Sequence, residues 1–185
     1  MTEKERMLAG ELYDPLDEEL VAERKRARLL FQKINSLHDD EKEQRDQLLY
    51  ELFGKAGNGL WIEPPFFCDY GSNIEVGENV FMNFNTCILD VCKVTIGSRT
   101  MLAPNVSILT ATHPLEAKPR SSGRELGKPI TIGEDVWIGG GAVLNPGISI
   151  GNSVVIGSGA VVTKSFGDHV FIAGNPARVI REIEN

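Results

Sequence analysis

Histidine, cysteine and aromatic residues are scarce in this chain of 185 residues, and each scarcity closes off a class of function. With three histidines in total, a metal centre built on three imidazoles would need every one of them, and His38 lies apart in a charged N-terminal segment. The three cysteines, Cys68, Cys87 and Cys92, have neither C-x-x-C spacing nor a histidine at zinc-ligand distance. Their odd number fits a reducing compartment better than a disulfide framework. No apolar run approaches the length of a membrane span, and the charged start "MTEKERMLAGELYDP" has no signal-peptide core, so cytoplasm is the expected location. Positive charge is also short: the net charge of −7 argues against a surface made for nucleic-acid phosphates, though a small cationic cluster is still allowed. Hydrophobic residues at 42% and charged residues at 24% are ordinary for a folded domain with one buried core.

Two grammars divide the chain. Residues 1–56 are helical in pattern: Thr2 and Glu5 have capping-box spacing, and Gly10 follows as a stop. Asp17 precedes "EELVAERKRARLLFQKIN", where Leu20, Ala27, Phe31 and Ile34 make one apolar stripe and Glu23, Arg24, Lys25 and Arg28 lie largely elsewhere. A third helix is expected from about Asp39 to Phe53, with Leu48, Leu49, Leu52 and Phe53 on its apolar face and Gly54 as its stop.

Beyond this the sequence moves in sixes. From Ile132 to Gly167 it reads "IGEDVW IGGGAV LNPGIS IGNSVV IGSGAV VTKSFG", with an aliphatic first position and a mostly glycine second. Six residues suit one short strand and one tight corner, and three such units make a triangular coil. Glycine and asparagine at the corners are expected to supply positive φ angles. Residues 57–177, less an excursion at 110–129 where the rhythm vanishes, allow about five stacked coils. Residues 178–185 are left as a short cap, expected to be helical.

These motifs resemble the hexapeptide-repeat acyltransferases, and within them the maltose and galactoside O-acetyltransferase branch, which includes nodulation-type enzymes. The resemblance rests on the leader "MTEKERMLAGELYDPLDEEL", then "CDYGSNIEVGENVFMNFN", "LDVC", "LAPNVSILTATHP", "GKPITIGEDVWIGGGAVLNPG" and "AGNPARVIREI". It implies an all-β, left-handed parallel β-helix with a small N-terminal helical subdomain, assembled as a homotrimer with sites between subunits. It also implies acetyl transfer from acetyl-CoA to a sugar hydroxyl, without a metal.

His113, where the rhythm breaks into a long loop, is the sharpest candidate residue. An imidazole titrates near neutral pH and can take the proton of an attacking hydroxyl. In the resembling enzymes this histidine is that base, and the amide at the position of Gly140 holds the oxyanion. The resemblance further implies acetyl-CoA contacts at Trp137, Gly140, Ser158, Thr163, Lys164, Arg178 and Arg181. For the acceptor it points to Asn83 and Asp69, with Asn85, Asp90 and Asp17 as further candidates. Val91 stands where the galactoside branch has a second acid, which favours a maltose- or glucose-like acceptor over a galactoside. His38 and His169 read as surface residues, and the loop cations Lys118, Arg120, Arg124 and Lys128 as solvated. A solenoid carbonic anhydrase would need a three-histidine site. A non-enzymatic solenoid scaffold would leave His113, the loop and the arginine-bearing tail without a purpose.

Overall fold

In the computed structural model, which describes residues 1–184, the aliphatic residues that open the hexads point into a triangular prism walled by three parallel sheets. The first face stacks Lys55–Ala56, Ile74–Val76, Val94–Ile96, Ile130–Ile132 and Ser149–Ile150. The second stacks Trp61–Ile62, Phe81–Met82, Met101–Leu102, Trp137–Ile138, Val155–Ile156 and Val170–Gly174. The third stacks Phe66–Cys68, Thr86–Leu89, Ser107–Leu109, Val143–Leu144 and Val161–Val162. Registers align one buried column of Ile62, Met82, Leu102, Ile138, Ile156 and Ile172, and another of Cys68, Ile88, Ile108, Leu144 and Val162. Burying each Ile, Leu or Val contributes about 1.5–3 kcal/mol, but only with a coil above and below it. The result is a left-handed parallel β-helix of five complete coils, and a sixth that ends on the second face.

The glycines that follow the aliphatic positions work differently from expectation. At the corners between the first and second faces, positive φ falls on Gly59 (74°) in the first coil and on Asn79, Arg99, Asp135, Ser153 and His169 (55° to 58°) in the others, not on the glycine that directly follows each aliphatic position. The hexad glycines are required by close approach instead: a Cβ on Gly97 would lie 2.4 Å from the carbonyl oxygen of Gly133 in the next coil. Glycine does carry positive φ at the corners between the second and third faces, at Gly141 and Gly159 (both 69°).

The leader closes the first coil. Thr2 and Glu5 form the capping box of α1 (Glu3–Leu8), and the Asp17 carboxylate caps α2 (Glu18–Ser36) by accepting from the amides of Glu19 and Leu20. A 3₁₀ turn at Asp39–Glu41 leads into α3 (Lys42–Leu52). Ala27, Ile34, Leu48, Leu49, Leu52 and Phe53 join the prism core, and Phe53 packs at 5.5 Å on Phe66. Asn35 of α2 stands in for a missing strand: its side chain donates to Phe66 O (2.9 Å) and accepts from Phe66 N (2.8 Å). A bare sheet edge is thereby closed.

At the other end the expected helical cap is a strand. Ala177–Glu182 pairs antiparallel with Val170–Gly174, the chain turning at Gly174 (φ 101°). A helix would have left the backbone groups of the last rung exposed, and the β-branched Val179 and Ile180 suit a strand. Asn185, the final residue of the expected cap, lies outside the described residues.

A second correction concerns Asp90. It is fully buried, and its carboxylate accepts from the amides of Asp69 (3.0 Å), Tyr70 (2.9 Å) and Asn73 (3.3 Å). A side chain without exposed surface does not bind the acceptor; Asp90 shapes the corner that carries Asp69. Burial pushes its pKa up to about 7 against the pull of those amides. The unfolded chain gives up this proton near pH ~3.9, so between about pH 4 and 7 the folded state binds more protons. Stability from this group therefore declines as pH rises through that window and levels off above it. Asp90→Asn keeps an acceptor oxygen and removes the titration, so its Tm should gain on that of the wild type as pH rises from about 4 to 7. A Tm difference that stays flat across that range would refute the assignment.

Candidate active site

The long loop leaves the prism at the corner between the third and first faces without breaking the stack, because Val94–Ile96 pairs directly with Ile130–Ile132 across it. Its two limbs, Ala111–Thr112 and Leu126–Gly127, pair antiparallel, and one helical turn, α4 (Ala117–Arg120), lies near the tip. Gly127 is wedged against the wall: a Cβ there would sit 2.6 Å from Val91 Cγ2 and 2.9 Å from Cys92 Sγ. His113 is exposed directly after Thr112, and Glu125 directly precedes Leu126, so the two are the next residues along the paired limbs.

Glu125 lines a cavity of about 270 Å³ with Tyr13, Pro15, Leu16, Arg24, Arg28, Asp69, Tyr70 and Val91. Tyr13 donates its hydroxyl to Glu125 Oε2 (2.8 Å). Arg24 donates to the Tyr70 hydroxyl (2.7 Å) and to Pro15 O. Burial, then the facing Glu125, raise the pKa of Asp69 against the opposing pull of Arg24 and Arg28. Among the described residues the Asp69 carboxylate accepts no hydrogen bond and the Arg28 guanidinium donates none. A carboxylate short of donors beside a guanidinium short of acceptors suits hydroxyl groups, which act as both. Tyr13, Arg28, Tyr70 and Glu125 carry no hexad signal and were missed by sequence reasoning; the aromatic residue set between Gly10 and Pro15 was the one available hint.

The opposite corner, between the second and third faces, has different chemistry. Backbone pairing stacks Pro65, Phe84, Pro104, Gly140 and Ser158 in one column. The two prolines have no N–H, and the Phe84 amide donates to Asn83 Oδ1 (2.8 Å). Gly139 and Gly141 donate to Ile156 O and Pro104 O, whereas the amides of Gly140 and Ser158 have no acceptor among the described residues. Asn85 is an exposed corner residue at φ 60°.

Trp137 lies beside this corner, half exposed, in an outward column of Trp61, Phe81, Met101, Trp137, Val155 and Phe171. A register shift in the terminal hairpin sets Arg178 opposite Ala173 and Arg181 opposite Phe171. Residues three apart normally face opposite sides of a strand; the irregularity brings both arginines onto the outward side that carries Trp137.

The sequence-predicted residues thus fall into two groups. His113 and Asp69 occupy the loop corner, with Thr163 and Lys164 two coils further along the same corner. Gly140, Ser158, Asn83 and Asn85 occupy the glycine corner, and Trp137, Arg178 and Arg181 the face beside it. Asp17 is the cap of α2, and its neighbours Pro15 and Leu16 are the ones that line the cavity. A face about six residues wide, at most roughly 20 Å, separates the two corners. One chain alone does not bring His113 to Gly140. Among the described residues, no three or more His, Cys, Asp or Glu side chains gather as a metal site, and no helix is long and apolar enough to cross a membrane.

Residues 6–57 match the maltose acetyltransferase hexapeptide capping motif, and residues 129–164 the bacterial transferase hexapeptide of six repeats. A putative acetyltransferase of Dictyostelium discoideum is 56% identical over 99% of this chain and 95% of its own. The solved maltose O-acetyltransferase of Clostridium difficile 630 is similar with a TM-score of 0.99 and 51% identity, covering 100% of this chain and 99% of that one. A galactoside acetyltransferase in complex with coenzyme A follows at a TM-score of 0.97 and 43% identity, over 100% and 92% of the two chains. With likeness of this extent over the leader, the prism and both corners, the chain belongs to the maltose and galactoside O-acetyltransferase family of hexapeptide-repeat acetyltransferases.

Proposed function

We propose that the protein moves the acetyl group of acetyl-CoA onto a hydroxyl of a maltose- or glucose-like sugar, with His113 as general base. What supports this reading is the limb pairing, which ends at Thr112 and Leu126 and leaves exposed His113 and Glu125 as the next residue of each limb; Glu125 is a wall of the cavity that also holds Asp69. A sugar hydroxyl donating to Asp69 and accepting from Arg28 would lie within the reach of a base at the cavity rim. Val91 gives the cavity an aliphatic wall, consistent with the acceptor preference inferred from its replacement of an acid.

The imidazole of His113 takes the hydroxyl proton as the oxygen attacks the thioester carbonyl carbon. The free Gly140 amide holds the resulting oxyanion. On collapse the carbon–sulfur bond breaks, and the departing thiolate recovers the proton from His113. Burial raises the pKa of Cys68 and Cys87 and pushes Cys92 up to about 11, so no thiol of the chain is a ready nucleophile for an acyl-enzyme. Direct attack by the sugar hydroxyl needs no such nucleophile.

Arg178 and Arg181, on the outward column with Trp137, suit the phosphates and the extended arm of coenzyme A; Ser158 completes that groove on the same chain, and Thr163 and Lys164, on the loop corner, reach it from a neighbouring copy. The separation of His113 from Gly140 within one chain is met by a homotrimer, in which the loop corner of one copy faces the glycine corner of the next. Asn83 and Asn85 then reach the acceptor from the neighbouring chain.

Thiol release from acetyl-CoA across maltose, glucose, galactosides and isopropyl-thiogalactoside, with the acetylated position mapped, tests the reading. No turnover with any sugar would overturn the acceptor class. His113→Ala should leave the oligomer intact and lower kcat roughly 10²–10⁴-fold; turnover within tenfold of wild type would remove the general-base role. Gly140→Pro deletes only the amide, at a corner position where Pro65 and Pro104 already stand. It should lower kcat by about 10²–10³ with little change in Tm, while Gly140→Ala keeps most activity. Arg178→Ala should raise the KM for acetyl-CoA severalfold; a change confined to the sugar KM would displace the proposed groove.

A further inference from the structure

The loop that carries His113 is fastened by the leader. The backbone amide of Tyr13 donates to Glu125 O (3.0 Å), and the Glu125 amide donates to Tyr13 O (3.2 Å), a two-way antiparallel bridge. The Tyr13 hydroxyl then donates to Glu125 Oε2 at 2.8 Å. Glu125 directly precedes the returning limb Leu126–Gly127, which pairs with the outgoing limb Ala111–Thr112. Three segments distant in sequence therefore form one small antiparallel sheet, ordered leader, returning limb, outgoing limb. His113 is the first residue beyond it.

The leader strand of this sheet is well anchored. Tyr13 is fully buried, in a cluster with Met7, Leu20, Tyr70, Val91 and Cys92 that is separate from the prism core. Gly10 lies so close to the returning limb that a Cβ on it would stand 2.8 Å from Gly127 O. Beyond the sheet the loop is held mainly by its own contacts, such as Arg120 donating to Pro114 O and Leu115 O. Two short limbs paired over two residues would fray without a third strand, because such a pair has few cooperative contacts.

We infer that Tyr13 is a positioning residue for the transfer reaction: through Glu125 it fixes the limb opposite His113, so that base and acceptor cavity move as one body. This rests on the general-base reading of His113. A base must come within hydrogen-bond reach of the proton it takes, and an error of an ångström is costly. The Tyr13 hydroxyl acts through the loop and touches no reacting atom.

The test compares the full-length wild type with Tyr13→Phe, Glu125→Gln and Glu125→Ala. Tyr13→Phe keeps the buried ring and the backbone bridge and removes only the hydroxyl bond. Its kcat should fall about tenfold, with Tm and the KM for acetyl-CoA unchanged. Amide exchange at Glu125 and tryptic cutting after Arg124, which requires Glu125 to leave Tyr13, should both quicken about tenfold. Glu125→Gln, whose carbonyl oxygen still accepts, should retain the protection, and Glu125→Ala should lose it. A wild-type kcat in Tyr13→Phe would overturn the inference. So would a lowered kcat with exchange and cutting unchanged, since the hydroxyl would then act other than through the loop. Should His113→Ala prove active, the general base is lost, while exchange and proteolysis still report on the clamp itself.

Discussion

No coil of this protein can bury its own aliphatic side chains; each depends on the coil above and below, and on their staying one strand spacing apart. That spacing is enforced from both sides. Columns such as Ile62, Met82, Leu102, Ile138 and Ile156 draw the rungs together. The bare Cα positions of glycines such as Gly97 allow successive backbones to meet at the corners without collision. Once this contact is set, the interior has no room for function, and the chemistry falls to corners and ends.

The two corners of the candidate site follow from that arrangement in opposite ways. At the glycine corner the regular stack itself provides the chemistry. The Gly140 and Ser158 amides are rigidly aimed because every neighbouring peptide is tied to the coil above or below, and prolines or a side-chain acceptor remove the alternatives. At the loop corner the chain leaves the stack, and precision comes from tertiary contacts: the limbs of the loop, the buried tyrosine of the leader, and Asp90 gripping three amides beneath Asp69. One half of the candidate site is held by repetition and the other by contacts made once.

What was legible in the sequence was whatever is local. The hexad rhythm, the Thr2–Glu5 box, the apolar stripe through Leu20, Ala27 and Ile34, and the position of the excursion all depend on residues a few places apart. What was not legible depends on distant partners. "ARVIRE" fits a helix or a strand, and the open edge of Val170–Gly174 decides for the strand. Asp90 looks like any polar corner residue until the amides of Asp69, Tyr70 and Asn73 are brought beneath it. Tyr13 and Glu125 are 112 residues apart, with two helices and three coils between them, so no periodicity could pair them. The hexad glycines were visible but misread: close approach and positive φ leave the same letter in a sequence.

The direct pairing of Val94–Ile96 with Ile130–Ile132 has one more implication. The ladder closes beneath the excursion as though nothing had been inserted, so the loop is a parenthesis in the architecture. Its length and side chains can drift over generations without the prism registering the change, provided that its two limbs still meet the leader. The prism's register is thereby uncoupled from the length of the loop, and a scaffold of this kind can vary the rim of its cavity while keeping one core.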